Sequence, residues 1–287
     1  MPLPTPVSRW LPAVLAVVVL TGCNTSDTQD QTAGPEAPAA SPTPAPVAAN
    51  LASNLFFLHH SVGDGLVVEG EMRNEIEAVN AANGTAFELW DHGYNWEGLR
   101  DPWGTYTGTS YEVPGDNTDV EGLYWLWTSN EDEWAACRRQ ILDNHGVIAF
   151  KSCFPNSAIP DAATLAQYKQ WYLAMRDVFD VHTDRRFVVM STPPLHRLST
   201  DDAEAANARA FASWLCSAEY VGGHANVACF DLFDHLAAPD DGSATANRLR
   251  YAYEMDHGDG DSHPNAVANQ TVGPELARFL CQVASGR

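Results

Sequence analysis

The sequence predicts an α/β sandwich: a five-stranded parallel sheet covered by helices on both faces, in three layers. Two observations carry that expectation. Five short apolar runs of the kind that form buried strands alternate with longer stretches of helical periodicity between residues 56 and 285. The alternating part, about residues 51–287, has the length of one domain with a full core.

The elements follow in order. FFLHHSV (56–62) reads as the first strand, and EGEMRNEIEAVNAANG (69–84) as a helix stopped by Gly84. FELWDHG (87–93) is the second strand, followed by an aromatic-rich, irregular insert at about 94–128. Ser129, with Asp132 three residues on, resembles a capping box for the helix in EDEWAACRRQILDNHG. VIAFKSC (147–153), RFVVMST (186–192) and VACFDLF (227–233) supply strands three to five, each separated from the next by a helix. The closing helix, in NAVANQTVGPELARFLCQVAS, tolerates Pro274 only near a break or a new first turn. In such a sheet, ligands gather at the carboxyl ends of the strands.

Residues 1–22 have one positive charge, Arg9, and an apolar run too short for a span of ~20 residues, the layout of a secretory signal. Leu20-Thr21-Gly22-Cys23 looks like a bacterial lipobox, which implies lipidation of Cys23. Asn24 after the cysteine resembles lipoproteins sorted to an outer membrane where one exists. Residues 23–50 are rich in Pro, Ala, Ser and Thr with no aromatic residue, and read as a semi-extended tether. An extracytoplasmic, lipid-anchored monomer is the expected form.

A formal charge of −21 argues against a nucleic-acid partner, whose phosphates it would repel. Of six cysteines, lipidation of Cys23 would leave five, so at least one is unpaired. Cys216 and Cys229 flank a short loop and are the favoured disulfide. No cysteine spacing resembles a zinc site, and neither a metal nor a cofactor is expected.

Three segments at strand ends carry reactive side chains: HHSVGDG after the first strand, KSCFPNSAI at the third, and MDHGDGDSHPNAVANQ before the last helix. A serine, an asparagine and a late Asp/His pair in this order resemble the SGNH hydrolase superfamily, which includes the GDSL esterases. The resemblance covers about residues 54–284 and implies a flavodoxin-like fold. It implies Ser61 as nucleophile and His263 as its base, since a hydroxyl attacks only once a base takes its proton. It further implies an oxyanion hole from the Ser61 N–H, a glycine N–H after the second strand (Gly93, with Gly98 the other candidate) and the Asn156 side chain.

The departures are specific. The family's Gly-Asp-Ser block is replaced by His59-His60-Ser61, and Gly63-Asp64-Gly65-Leu66 looks like GDSL with its serine missing. The family's aspartate lies three positions before the histidine, where this chain has Gly260. Asp261 is therefore the expected acid, with Asp259 the alternative. Strand alternation sends one of His59 and His60 toward the cleft and the other into packing.

Six of nine tryptophans fall between Trp90 and Trp134. If the insert overhangs the catalytic edge, Trp96, Trp103 and Tyr106 could stack on sugar rings, although many of these rings would serve a local core. Arg197, after the fourth strand, could bind a substrate carboxylate or pair with the acidic surface. The expected activity is removal of small acyl groups, acetyl among them, from a small ester or a polysaccharide. Three alternatives stand beside it. One is an O-acyltransferase using the same residues. Another is a metal-dependent hydrolase using Asp256, His257, Asp259, Asp261 and His263, completed by His59 and His60. The last is a non-catalytic carbohydrate-binding lipoprotein.

Overall fold

The computed structural model describes residues 51–286. The expected signal (1–22), the lipid acceptor Cys23 and the tether (23–50) lie outside the described residues. The elements run β1 (Asn54–Leu58), α1 (Ser61–Val68), α2 (Met72–Asn83), β2 (Glu88–His92), β3 (Leu99–Arg100), α3 (Val120–Thr128) and α4 (Asp132–Asn144). They continue β4 (Val147–Phe150), α5 (Ala162–Val181), β5 (Arg186–Met190), α6 (Asp202–Leu215), α7 (Ala218–Val221), β6 (Val227–Phe230), α8 (Leu232–Leu236) and α9 (Ala266–Ala284).

The sheet order is β3-β2-β1-β4-β5-β6. The five expected strands all pair in parallel, and β3 adds a sixth, antiparallel to β2 through Asp91↔Arg100 and His92↔Leu99. That corrects the expected count of five, because two residues are too few to show a period. Successive strand residues face opposite ways. Phe56, Leu58, Ile148, Phe150, Phe187 and Val189 pack under one helical layer, with Trp127, Ile141, Tyr172, Phe179 and Phe211 of α3 to α6. Leu55, Phe57, Val147, Ala149, Val188 and Met190 pack under the other, with Leu66, Met72, Ile76, Val272 and Leu276 of α1, α2 and α9.

Three local differences bear on the site. The helix after β1 begins at Ser61, not at 69, because Gly63 lets its first turn lie on His59: a Cβ at 63 would sit 2.2 Å from the His59 Cβ. The insert is not wholly irregular, since α3 lies within it and Trp127 is fully buried in the core. Helix α9 runs unbroken through Pro274. Beside that proline, Gly273 and Gly70 bring α9 against α1, and a Cβ on Gly273 would meet the Leu66 carbonyl at 2.6 Å.

Ser129 does not cap α4 in the expected way; its Oγ accepts from the Glu131 N–H at 3.1 Å. Cys216 and Cys229 form a disulfide with Cα atoms 5.1 Å apart. Cys137, Cys153 and Cys281 are free thiols. Among the described residues no helix is long and apolar enough to cross a membrane.

Candidate active site

Strand β1 delivers Ser61 to the carboxyl edge of the sheet as the first residue of α1. The loop before α9 returns His263 to the same point, with its Nε2 2.8 Å from the Ser61 Oγ across 202 residues of sequence. On the other side of the ring, Asp261 Oδ1 accepts from the His263 Nδ1–H at 2.6 Å and from the His263 backbone N–H at 3.0 Å. A carboxylate on Nδ1 requires the proton there, so Nε2 is left bare to accept from the serine hydroxyl. Burial would raise the Asp261 carboxyl, but the backbone and ring hydrogen bonds of His263 outweigh it and hold it below the usual carboxylate range. Asp259 instead accepts from the Asp261 N–H at 2.9 Å and so shapes the loop. The spacing of two, not three, works because Asp261 folds back on the backbone of residue 263. The Phe154 ring packs against the His263 ring in edge contact at 4.8 Å.

As the first helical residue, Ser61 has an N–H with no intrahelical partner. Gly93 follows β2, and a Cβ there would fall 2.3 Å from the Glu97 Oε2 and 3.8 Å from the His59 Cε1. Its carbonyl is fixed by His92, whose Nδ1 donates at 2.9 Å while its Nε2 accepts from the Tyr111 N–H at 3.2 Å. Gly98 serves the loop instead, closing a turn at φ +73° with its N–H donating to the Tyr94 carbonyl. Asn156 lies in the turn after β4, and its Oδ1 accepts from the Val120 N–H at 2.5 Å. That orientation leaves the donor end of the amide for another partner. The turn itself is anchored by Ser157, whose Oγ lies 2.8 Å from the Thr192 Oγ1 and 2.7 Å from the Pro193 carbonyl.

The two histidines lie just past the end of β1 and take different partners, but both are buried, so the expectation that one turns to the cleft is not met. His59 is fully buried beneath α1, beside Asp91 of β2, with Nε2 3.0 Å from the Asp91 Oδ2. Arg100 donates to the same carboxylate through Nε at 2.7 Å, and Arg73 of α2 pairs with it too. Burial alone would push the Asp91 carboxyl up; His59, Arg73 and Arg100 together hold it far below the usual range. His60 faces the insert: it stacks on Tyr94 at 4.0 Å, with Nδ1 3.6 Å from the Cys153 Sγ and Nε2 3.4 Å from the Asp116 Oδ1. Burial, only partly offset by Asp116, lowers His60 to about 4, so it is neutral near pH 7.

Other sequence candidates divide. Trp96 is 80% exposed and stacks on Tyr94, which in turn stacks on His60, the residue before Ser61. Tyr106 is half exposed, bridged to Arg100 and covered by its guanidinium at 5.8 Å. Trp103 is not brought to the site. It lies by Phe87, Glu88 and Leu89 at the start of β2, since the antiparallel β3 carries the chain away from the catalytic edge. Arg197 is held by Glu254 at 3.2 Å and donates to the His257 carbonyl at 2.5 Å. An open depression of about 490 Å³ flanks the triad, walled by Phe154, Pro155, Ala158 and Leu195 against residues 259–262.

Sequence reasoning missed the residues that brace this site. Fully buried Glu254 pairs with His196 at 3.1 Å and with His257 at 2.8 Å. Ser262 accepts from the His196 N–H at 2.9 Å, and Ser199 donates to the Gly260 carbonyl at 2.5 Å. These bonds tie the loop of Asp261 and His263 to the exit of β5. A charged residue placed in an apolar strand was the available signal for Asp91; Glu254 had none. The loop's carboxylates do not converge: Asp256 accepts from the Gly258 N–H, Asp259 from Asp261, and Asp261 from His263.

No family model and no curated protein matches the sequence. Among solved structures, the fold is similar to a candidate acylhydrolase from Bacteroides fragilis NCTC 9343, at 12% identity and a TM-score of 0.46, covering 81% of this chain and 88% of that one. It is also similar to a GDSL-like lipase from Bacteroides thetaiotaomicron VPI-5482, at 8% identity and a TM-score of 0.46, covering 83% of this chain and 92% of that one.

Proposed function

We propose that this protein is a serine esterase that removes small acyl groups, acetyl among them, from a hydroxyl-bearing substrate such as a carbohydrate. The observation that carries the reading is the unbroken chain Ser61–His263–Asp261 at 2.8 and 2.6 Å. As the Ser61 Oγ bonds to the ester carbon, its proton passes to the His263 Nε2, and Asp261 steadies the imidazolium. The carbonyl oxygen becomes an oxyanion, for which the Ser61 and Gly93 N–H groups and the Asn156 amide are the assigned donors. Collapse breaks the bond to the alcohol, which takes the proton from Nε2. Water then attacks the acyl-serine with the same base, releasing the acid.

The substrate reading rests on the surroundings. The Tyr94–Trp96 stack offers an exposed face to a ring, and the depression beside Phe154 and Leu195 offers apolar walls. Placement outside the cytoplasm by a lipid on Cys23, with the domain acting as a monomer, belongs to the same proposal and rests on the sequence alone. The test is acetate release from p-nitrophenyl acetate and from acetylated xylan, with Ser61→Ala and an EDTA-treated sample alongside. Turnover that disappears with Ser61 and survives EDTA is expected. Turnover that survives Ser61→Ala and disappears with EDTA would sink the serine mechanism.

A further inference from the structure

We propose that Glu97 is a substrate-binding residue whose carboxylate accepts a free hydroxyl beside the ester, so that the site takes partly acylated, uncharged sugars. The kinetic side of this rests on the serine-esterase reading; the binding side rests on the residues around Gly93.

Gly93 does not adopt the left-handed region, so its missing side chain serves space and not backbone freedom. Glu97 takes that space: its Oε2 stands 2.3 Å from where a Cβ on Gly93 would fall. The carboxylate therefore lies against the backbone whose N–H is assigned to the oxyanion. The turn that carries it is fixed in advance. The Glu97 and Gly98 N–H groups both donate to the Tyr94 carbonyl at 2.9 Å. Asn95 pins the turn to the insert, its N–H donating to the Asp116 Oδ1 at 3.0 Å and its side chain exchanging bonds with the Val113 backbone at 2.7 and 2.9 Å.

Among the described residues the Glu97 carboxylate has no hydrogen bond or ion pair. The cations near it are bound elsewhere. Arg100 donates to Asp91 at 2.7 Å and pairs with Asp64 at 2.8 Å, and Arg73 pairs with Asp91. The His59 ring nitrogens face the His60 carbonyl and Asp91, and His60 lies beside Asp116. A half-buried carboxylate is ordinarily paired. One left unpaired next to the ester's assigned carbonyl site is an acceptor open to a ligand.

The neighbours of Glu97 suit the same ligand. Trp96, next in the chain, is exposed and stacks on Tyr94. Tyr106 is half exposed, and burial together with the Glu97 carboxylate raises its hydroxyl above the ordinary value. Aromatic faces beside a fixed acceptor match a sugar, which has an apolar ring face and hydroxyls at its edge. A uronic acid would bring a second carboxylate against Glu97. A fully acylated sugar has no hydroxyl to give.

The test compares substrates with and without that hydroxyl. On partly acetylated xylooligosaccharides, Glu97→Ala should lower kcat/KM about tenfold or more. Glu97→Gln keeps a neutral acceptor of the same size and should recover part of the loss. On p-nitrophenyl acetate, which has no hydroxyl, both variants should gain about twofold or more, because an anion beside the developing oxyanion is gone. A merely structural role would lower both substrates together, and that result overturns the proposal. So does an undiminished rate on the xylooligosaccharides, or a wild type that prefers fully acetylated sugars or acetylated galacturonic-acid oligomers. Binding gives a second readout. In Ser61→Ala protein, adding Glu97→Ala should raise the calorimetric Kd for partly acetylated xylooligosaccharides about tenfold. An equal Kd, or no binding with Glu97 intact, overturns the proposal. A wild type without turnover on any of these esters overturns the esterase reading instead, and the binding comparison then still decides the role of Glu97.

Discussion

Asp261 and Asp259 are separated by one residue, yet their carboxylates serve different purposes. Asp261 Oδ1 binds the His263 ring and its own loop backbone, whereas Asp259 accepts from the Asp261 N–H. Asparagine at 261 could donate to Nδ1 and stabilise the wrong tautomer of His263, leaving Nε2 protonated and unable to accept from Ser61. Asp261→Asn should therefore lower kcat by roughly 10³–10⁴ with the fold intact. Asp259→Asn keeps an acceptor for the loop and should cost less than about tenfold. Steady-state kinetics of the two variants decide between the carboxylates; equal losses would contradict the assignment.

At the scale of elements, the site depends on where α1 starts. Gly63 admits the His59 ring under the first turn, and Gly70 with Gly273 admits α9 alongside. Gly63→Ala must push either the helix or the buried His59–Asp91 pair aside, an overpacking cost of about 1–3 kcal/mol. Calorimetry should show Tm lower by roughly 3 °C or more; an unchanged Tm would mean that the first turn yields freely. The same start illustrates what the chain reveals when read alone. The buried strands are visible as local apolar runs; Ser61 and Asn156 are visible because they follow such runs, and His263 because it stands just before the last helix. Helix α1 is hidden by glycines that look like a loop, and β3 by its two-residue length. The Asp91–His59–Arg100 network is hidden because it joins residues brought together by sheet pairing, which no local pattern encodes. Trp103 misleads for the same reason: only the antiparallel return of β3 shows that it points down the sheet.

At the scale of the whole molecule, buried imidazoles set how the fold responds to acid. Burial lowers His60 to about 4 and His145 to about 3, the latter stacked on Phe56 at 4.4 Å and bonded to the Tyr111 hydroxyl at 2.7 Å. Both are neutral in the fold and more readily protonated once unfolded. Between pH 6.5 and about 3–4 the unfolded chain thus binds more protons, and stability falls as pH falls through that window. Asp91, depressed in the fold, adds a further loss below the ordinary carboxylate range. Denaturant midpoints should be flat above about pH 7 and drop toward about pH 4, and the slope should be shallower in His145→Phe. A flat profile across that range would contradict the burial of these rings. The central claim, that Ser61 is a nucleophile driven by His263, is tested most directly by fluorophosphonate labelling followed by peptide mapping. The account predicts one adduct, on Ser61 in the wild type, and its loss in His263→Ala. Labelling of another serine, or ester hydrolysis by a protein whose Ser61 remains unlabelled, would contradict it.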